Sequence, residues 1–131
     1  MQTNTIRTLT DHKLNGLNDA LSIFVCDEPG QGNACHQYSI SWGDPEDRTG
    51  HATASTRIHF QNGPIQEHGV NGISQEALLA ILIDRLRGFQ SGQYSCRDNA
   101  IALTHLEEAL MWLQKRTRDR LARGVEGTSA K

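Results

Sequence analysis

Apolar and polar positions alternate every second residue in the first half of the chain. In residues 36–42 this places Tyr38, Ile40 and Trp42 on one face, and residues 55–60 alternate in the same way. Such alternation is typical of antiparallel strands with one face in water. The pattern predicts a sheet of about four strands within residues 18–70. The segments assigned to strands are 20–26, 36–42, 55–60 and 65–70, the last following an Asn-Gly-Pro turn.

After residue 72 the apolar positions recur every three or four residues, which is the period of a helix. Ser74 is the predicted N-cap of a first helix, and Ser95 followed by Asp98 resembles a capping box for a second. Leucines in the second helix form a seam suited to packing against another helix. We therefore predict two antiparallel helices, over about 74–90 and 96–123, followed by a loose tail at 124–131.

Strands followed by helices indicate the α+β class. At 131 residues, the chain is expected to form a single domain over residues 1–131. Met111 and Trp112 fall off the leucine seam of the second helix. They therefore indicate a second buried surface, such as a dimer interface.

Charge and cysteine content limit the classes of function that fit this sequence. The formal charge is −2, so the whole molecule is not built to attract nucleic acid. No apolar run is long enough to span a bilayer and no signal-peptide pattern occurs. Three cysteines, an odd number, favour free thiols in a reducing cytosol. Residues 115–123 nevertheless concentrate five basic residues against one acid.

Four positions around the helices suggest a nucleotide site. Arg116 and Arg120 lie one turn apart, so two guanidinium forks that suit a diphosphate share a face. Phe89 closes the first helix and offers a surface for stacking a purine, and Asn99 opens the second helix. The alternative is that Phe89 is a core residue, Asn99 a cap, and the two arginines a solvated face.

The spacing of these positions adds a geometric condition. Asn99 and Arg116 are 17 residues apart, about 25 Å of helix, so one small ligand cannot touch both ends of one chain's helix. If the four residues serve one ligand, a second copy must lie antiparallel to the first. A two-fold dimer would provide this and would create two equivalent sites.

Other chemistries have weaker support. No glycine-rich phosphate loop is present, and Cys26, Cys35, His36 and Cys96 lack the spacing of a zinc site. A cysteine–histidine nucleophilic pair would lack an assignable orienting acid and oxyanion donor. The basic segment 115–123 could contact nucleic-acid phosphates, although cations are also favoured at a helix C-terminus.

The chain resembles the first-described type of phage anti-Thoeris protein, a family of sponges for cyclic ADP-ribose isomers. The resemblance covers roughly residues 20–128, and the family's signal-binding aromatic, asparagine and two arginines fall on Phe89, Asn99, Arg116 and Arg120. Residues 43–53 do not align. The matching stretches are 21–30, 34–38, 60–64, 69–73 and most of the second helix through Thr128.

The resemblance implies a protein that sequesters the signal made from NAD by Thoeris TIR enzymes in the cytoplasm of the infected host, without cleaving it. It implies a homodimer that shares each ligand site, a hexamer in some members, and a separate site for cyclic oligonucleotides in those members. No catalytic residue, metal, cofactor or membrane partner is expected. The alternatives are a small phage nucleic-acid-binding protein and a hydrolase of the same nucleotide signal.

Overall fold

The computed structural model describes residues 6–131, and the chain divides after Asn62 into two compact units. The first unit is an antiparallel sheet in the order β1-β2-β3-β4. Its elements are β1 (Arg7–Leu9), α1 (Gly16–Asp19), β2 (Ser22–Val25), a 3₁₀ turn (Gln31–Asn33), β3 (Gln37–Gly43) and β4 (Thr53–His59). The second unit, Gly63–Lys131, contains α2 (Ile65–His68), α3 (Gln75–Gln90) and α4 (Arg97–Ala122).

The register of the sheet follows the alternation in the sequence. Ile23 lies opposite Ile40, and Tyr38 lies opposite Ile58, so large apolar residues pair across neighbouring strands. Val25 is fully buried. The Tyr38 and Phe60 rings meet edge to face, with centroids 5.7 Å apart. The observed sheet followed by helices confirms the α+β class.

One predicted strand is wrong. Residues 65–70 contain the helical turn α2, in which the backbone N–H of His68 donates to the carbonyl of Pro64. Gly69, at φ 68°, ends this turn in a backbone region that favours glycine. The fourth strand is instead β1, whose three residues are too few to show alternation and which pairs with β2.

The helical hairpin matches its predicted limits within one residue at most ends. Ser74 is the N-cap of α3, and its hydroxyl accepts from the N–H of Ala77. The N-cap of α4 is Cys96 rather than the predicted Ser95. Gln90 fixes the short connection, because its side-chain amide donates to the Cys96 carbonyl and accepts from the Cys96 N–H. The short connection, together with the Arg87–Glu107 ion pair between the two helices, fits an antiparallel pair.

The hairpin leaves many of its apolar side chains in solvent. Among the described apolar residues of α3 and α4, Ile83 alone is buried. Trp112 is 62% exposed, and Met111, Ile81 and Leu82 are also exposed. An apolar surface of this kind is typical of a face that contacts another protein chain. Within residues 6–131 no helix combines the length and hydrophobicity needed to cross a membrane.

The segment 124–131, predicted to be loose, is held against the helices. The Gln66 backbone N–H donates to the Gly127 carbonyl, and the Gln66 side chain donates to the Glu126 carbonyl. Gly127 is buried, and a Cβ there would lie 2.9 Å from Ile65. The partners of this segment in α2 lie about 60 residues away in sequence, so no local pattern indicates these contacts.

The loop between β3 and β4 is organised by one carboxylate. Asp47 accepts hydrogen bonds from the backbone N–H groups of Thr49, His51 and Ala52 and from the Thr49 hydroxyl. These bonds favour the charged carboxylate and hold the pKa of Asp47 below its ordinary value of 3.8, with the Ala52 N–H the largest cause.

The lowered pKa of Asp47 predicts that the order of this loop is sensitive to acid. A group with a depressed pKa stabilises the ordered state above its ordinary pKa of 3.8 and loses that effect as pH falls through the depressed value. We expect the amide signals of His51 and Ala52 in NMR spectra to lose hydrogen-exchange protection in that acidic range. Asp47→Asn should show weak protection at every pH, whereas protection that survives full protonation of Asp47 would contradict the prediction.

Candidate functional site

The four candidate residues occupy two ends of the helical hairpin. Phe89 is the penultimate residue of α3, and Asn99 is the third residue of α4. Arg116 and Arg120 lie in the last two turns of α4, a single helix of 26 residues. Phe89 and Asn99 therefore lie on either side of the connection between the two helices, and both are distant from the arginines along α4.

The first end, which we call the aromatic end, comprises Arg85, Phe89, Tyr94 and Asn99. The Phe89 and Tyr94 rings meet edge to face with centroids 6.4 Å apart, and Tyr94 is 67% exposed. The Arg85 guanidinium carbon lies 5.1 Å from the centroid of the Phe89 ring, within range of a cation–π contact. This arrangement presents aromatic surface and a cation to solvent at the same place.

Local hydrogen bonds fix the backbone of the aromatic end. The Asn99 N–H donates to the Cys96 sulfur at 3.5 Å, so the sulfur satisfies one of the donors that a helix start leaves unpaired. The Ser91 hydroxyl donates to the Gly88 carbonyl where α3 ends. The N-cap is Cys96 and Asn99 is the third residue of α4, so the cap role that the alternative gave to Asn99 belongs to Cys96.

The second end, which we call the basic cavity, is a concave space of about 400 Å³. Its size lies in the range of small-molecule sites. Five of its seven lining side chains are cationic and one is an acid. The lining residues are Trp112, Lys115, Arg116, Asp119, Arg120, Arg123 and Lys131.

Helix geometry explains most of this lining. Positions 112, 116, 119, 120 and 123 each lie three or four residues from another member of the set and share a face of α4. Arg123 shares this face with Arg116 and Arg120. Arg123 follows Arg120 by three residues, so the spacing itself carried the signal.

Arg120 differs from Arg116 in its surroundings. Arg120 is only 7% exposed, whereas Arg116 is exposed, so the expectation of a solvated face holds for Arg116 alone. The Arg120 guanidinium donates to the Glu126 carboxylate and to the carbonyls of Val125, Thr128 and Ala130. Arg120 is therefore a structural centre of the C-terminal segment as well as a wall of the basic cavity.

The remaining charges of the cavity are more loosely held. Lys115 and Asp119 form an exposed i,i+4 ion pair at 2.7 Å, which contributes little to stability. This pair occupies the acidic side chain of the lining. Arg116, Arg123 and Lys131 add positive charge that no acid within residues 6–131 pairs with. The cavity therefore favours an anion over a neutral or cationic ligand.

Several neighbours of the four residues were missed by sequence reasoning. Lys131 lines the basic cavity only because the C-terminal segment folds back, so no local pattern could have indicated it. Tyr94 lies in the connection between α3 and α4, where a lone aromatic residue carries no periodicity. Arg85 could have been found, since it precedes Phe89 by four residues on one helix.

Of the cysteine and histidine candidates, Cys26, Cys35 and His36 lie in the sheet unit, whereas Cys96 is the N-cap of α4 in the helical unit. The Asp27 carboxylate accepts the backbone N–H groups of His36 and Gln37, and the His36 ring nitrogen Nδ1 is 3.9 Å from it. Cys35, which precedes His36 in the sequence, is buried. Over residues 6–131, no three histidine, cysteine or acidic side chains come together in a way that could hold a metal ion.

Comparison with known proteins places the hairpin in a family. A family model described as the Acb2/Tad1 hairpin domain matches residues 52–118, which include Phe89, Asn99 and Arg116. A protein of Bacillus phage SBSphiJ7, named "Thoeris anti-defense 1", is 57% identical over 74 residues, which is 56% of this chain and 52% of that protein. The match thus spans about half the length of this relative. Since the family model covers half of the chain, the protein belongs to the Acb2/Tad1 hairpin-domain family.

Proposed function

We propose that the protein is a phage anti-defence sponge that binds the cyclic ADP-ribose isomer made by Thoeris TIR enzymes and holds it without cleavage in the host cytoplasm. Two findings support an anti-Thoeris role: the family match and the printed name of the Bacillus phage relative. The observation that carries the ligand class is the hairpin itself, which presents a cationic cavity at one end and exposed aromatic rings at the other.

The two ends suit the two halves of such a nucleotide. A diphosphate matches the cations of the basic cavity, and Arg116 offers an exposed guanidinium fork. An adenine ring can stack on the exposed aromatic surface of Phe89 and Tyr94, while the Asn99 amide can exchange hydrogen bonds with polar groups of the ligand. Arg120 adds its buried charge to the cavity wall.

Both halves can meet only if two chains contribute to one site. The positions lie about 25 Å apart along a continuous helix, so the second chain must run antiparallel. An apolar cavity of about 540 Å³, lined by leucines of both helices and by Trp112, offers surface for that contact. The proposed homodimer shares each ligand site, and the family resemblance extends the proposal to a hexamer with a second, cyclic-oligonucleotide site.

The lining of the basic cavity also favours storage over hydrolysis. Its acidic member, Asp119, is exposed and paired with Lys115, so neither a buried base nor a positioned nucleophile faces the cations within this lining. The competing functions are hydrolysis of the nucleotide signal and nucleic-acid binding. A nucleic-acid-binding protein would lose affinity steeply as salt rises and would bind free nucleotides poorly.

The ligand proposal predicts that cyclic ADP-ribose isomers bind and leave unchanged. Protein incubated with each isomer, desalted and heat-denatured should release the intact compound, as measured by mass spectrometry. Recovery of ADP-ribose or another linear product would replace the sponge with a hydrolase. Recovery of no nucleotide, together with salt-sensitive binding of DNA or RNA, would favour the nucleic-acid alternative.

The assembly proposal predicts a dimer or a larger oligomer at micromolar concentration. Trp112→Glu places a charge in the exposed apolar surface and should shift the sedimentation coefficient towards that of a monomer. Leu17→Glu is the matched control, because Leu17 is equally exposed but lies in the sheet unit. A monomeric wild-type protein that still binds ligand fully would exclude the shared site.

The shared site can be tested by mixing two defective variants. Arg116→Ala and the double variant Phe89→Ala/Asn99→Ala should each lose capture, since a charge-assisted hydrogen bond contributes roughly 1.5–3 kcal/mol, or tenfold and more in affinity. Arg116 is used alone because replacing the buried Arg120 would also disturb the C-terminal segment.

After subunit exchange, each heterodimer should contain one site with every lesion and one intact site. Mixtures should therefore regain part of the capture that both parents lack, measured by isothermal titration. A site built within one chain would stay defective after mixing, and that result would show the dimer geometry to be wrong.

A further inference from the structure

The C-terminal segment 124–131 encloses the Arg120 guanidinium. Nε donates to Glu126 Oε2 at 3.0 Å, and Nη1 donates to the Ala130 carbonyl at 2.6 Å. Nη2 donates to the carbonyls of Val125 and Thr128, both at 3.0 Å. These four bonds use four of the five N–H groups that a guanidinium carries.

Glu126 is the only charged acceptor among these four partners. The Arg120 side chain is 8% exposed and that of Glu126 is 33% exposed, so the ion pair is largely removed from water. A buried cation without a charged partner is costly, and the carbonyls alone would supply only dipoles. Glu126 therefore determines whether Arg120 stays in this position.

The segment is built to bring the Glu126 carboxylate to Arg120. Gly124 and Gly127 have φ values of 72° and 79°, which allow the chain to turn back on both sides of Glu126. The Thr128 hydroxyl donates to the Val125 carbonyl within the turn. Gln66 holds the Glu126 carbonyl from α2, so the backbone is anchored as well as the side chain.

We infer that Glu126 is a positioning residue for ligand capture, an inference that rests on the proposed function. Glu126 fixes the Arg120 guanidinium in the wall of the basic cavity, leaving one N–H for an anionic ligand. The same contacts keep Lys131 in the cavity lining. A prearranged cation loses little freedom when a diphosphate binds, which increases affinity.

A competing role for Glu126 makes the opposite prediction. Its carboxylate could occupy Arg120 as a substitute for the ligand phosphate, and capture would then require its release. Release would also have to break the bonds to three backbone carbonyls around a guanidinium that is 7% exposed. This cost favours the positioning role.

The test compares Glu126→Ala and Glu126→Gln in the full chain, by titration with cyclic ADP-ribose isomers at a temperature where circular dichroism shows each variant folded. Glu126→Ala should weaken capture about tenfold or more, since a bond between charged groups is lost. Glu126→Gln should recover part of the affinity, because its amide oxygen can still accept from Nε–H. Glu107→Ala is the matched control, because it removes an Arg87–Glu107 pair at 2.7 Å that is exposed and far from Arg120 in sequence.

A second measurement, made in the absence of ligand, reports whether the Arg120 guanidinium stays in its position. The Arg120 Nε–H signal in NMR spectra should exchange slowly with water in the wild type, faster in Glu126→Gln and fastest in Glu126→Ala. Unchanged or tighter capture by Glu126→Ala would overturn the inference, as would unchanged Nε–H protection. If the wild type binds no isomer, the proposed function fails, and the Nε–H measurement still decides whether Glu126 positions the guanidinium.

Discussion

The continuous length of α4 is the constraint on which the rest of the helical unit depends. A helix of 26 residues is about 39 Å long and cannot bend its two ends towards each other. Because α3 returns antiparallel, Phe89 and Asn99 lie at the connection, whereas Arg116 and Arg120 lie at the open end. Chemistry that requires both ends must therefore come from two chains, which is why the proposed function includes a dimer.

The exposed apolar side chains of the hairpin provide an energetic argument for the same proposed dimer. Among the described apolar residues of the helix pair only Ile83 is buried, and the leucines of the seam keep part of their surface in solvent. Trp112 borders both the apolar cavity and the basic cavity, so the surface offered to a second chain continues into the cationic site. Burial of this surface in the proposed dimer would stabilise the hairpin and complete the ligand site in one step.

The distribution of charge separates the roles of the two arginines. The chain carries a formal charge of −2, yet five cations line one small cavity. Arg116 is exposed, whereas Arg120 is neutralised by Glu126 and surrounded by carbonyls. The two residues share a helix face, as the spacing predicted, but they differ in what each can give to a ligand. The binding roles of Phe89, Asn99, Arg116 and Arg120 stay predictions.

Features that depend on near neighbours along the chain can be read from the sequence. Strand alternation in β3, the Ser74 cap and the shared face of Arg116 and Arg120 follow from periods of two or 3.6 residues and from local hydrogen bonding. Tertiary structure alone decided the pairing of β1, the helical turn α2 and the burial of Arg120. The pairing of β1 with β2 and the contacts of α2 with the C-terminal segment join residues far apart in sequence, such as Gln66 and Glu126, and leave no periodic pattern. Arg120 is buried because the chain folds back on it after α4 ends.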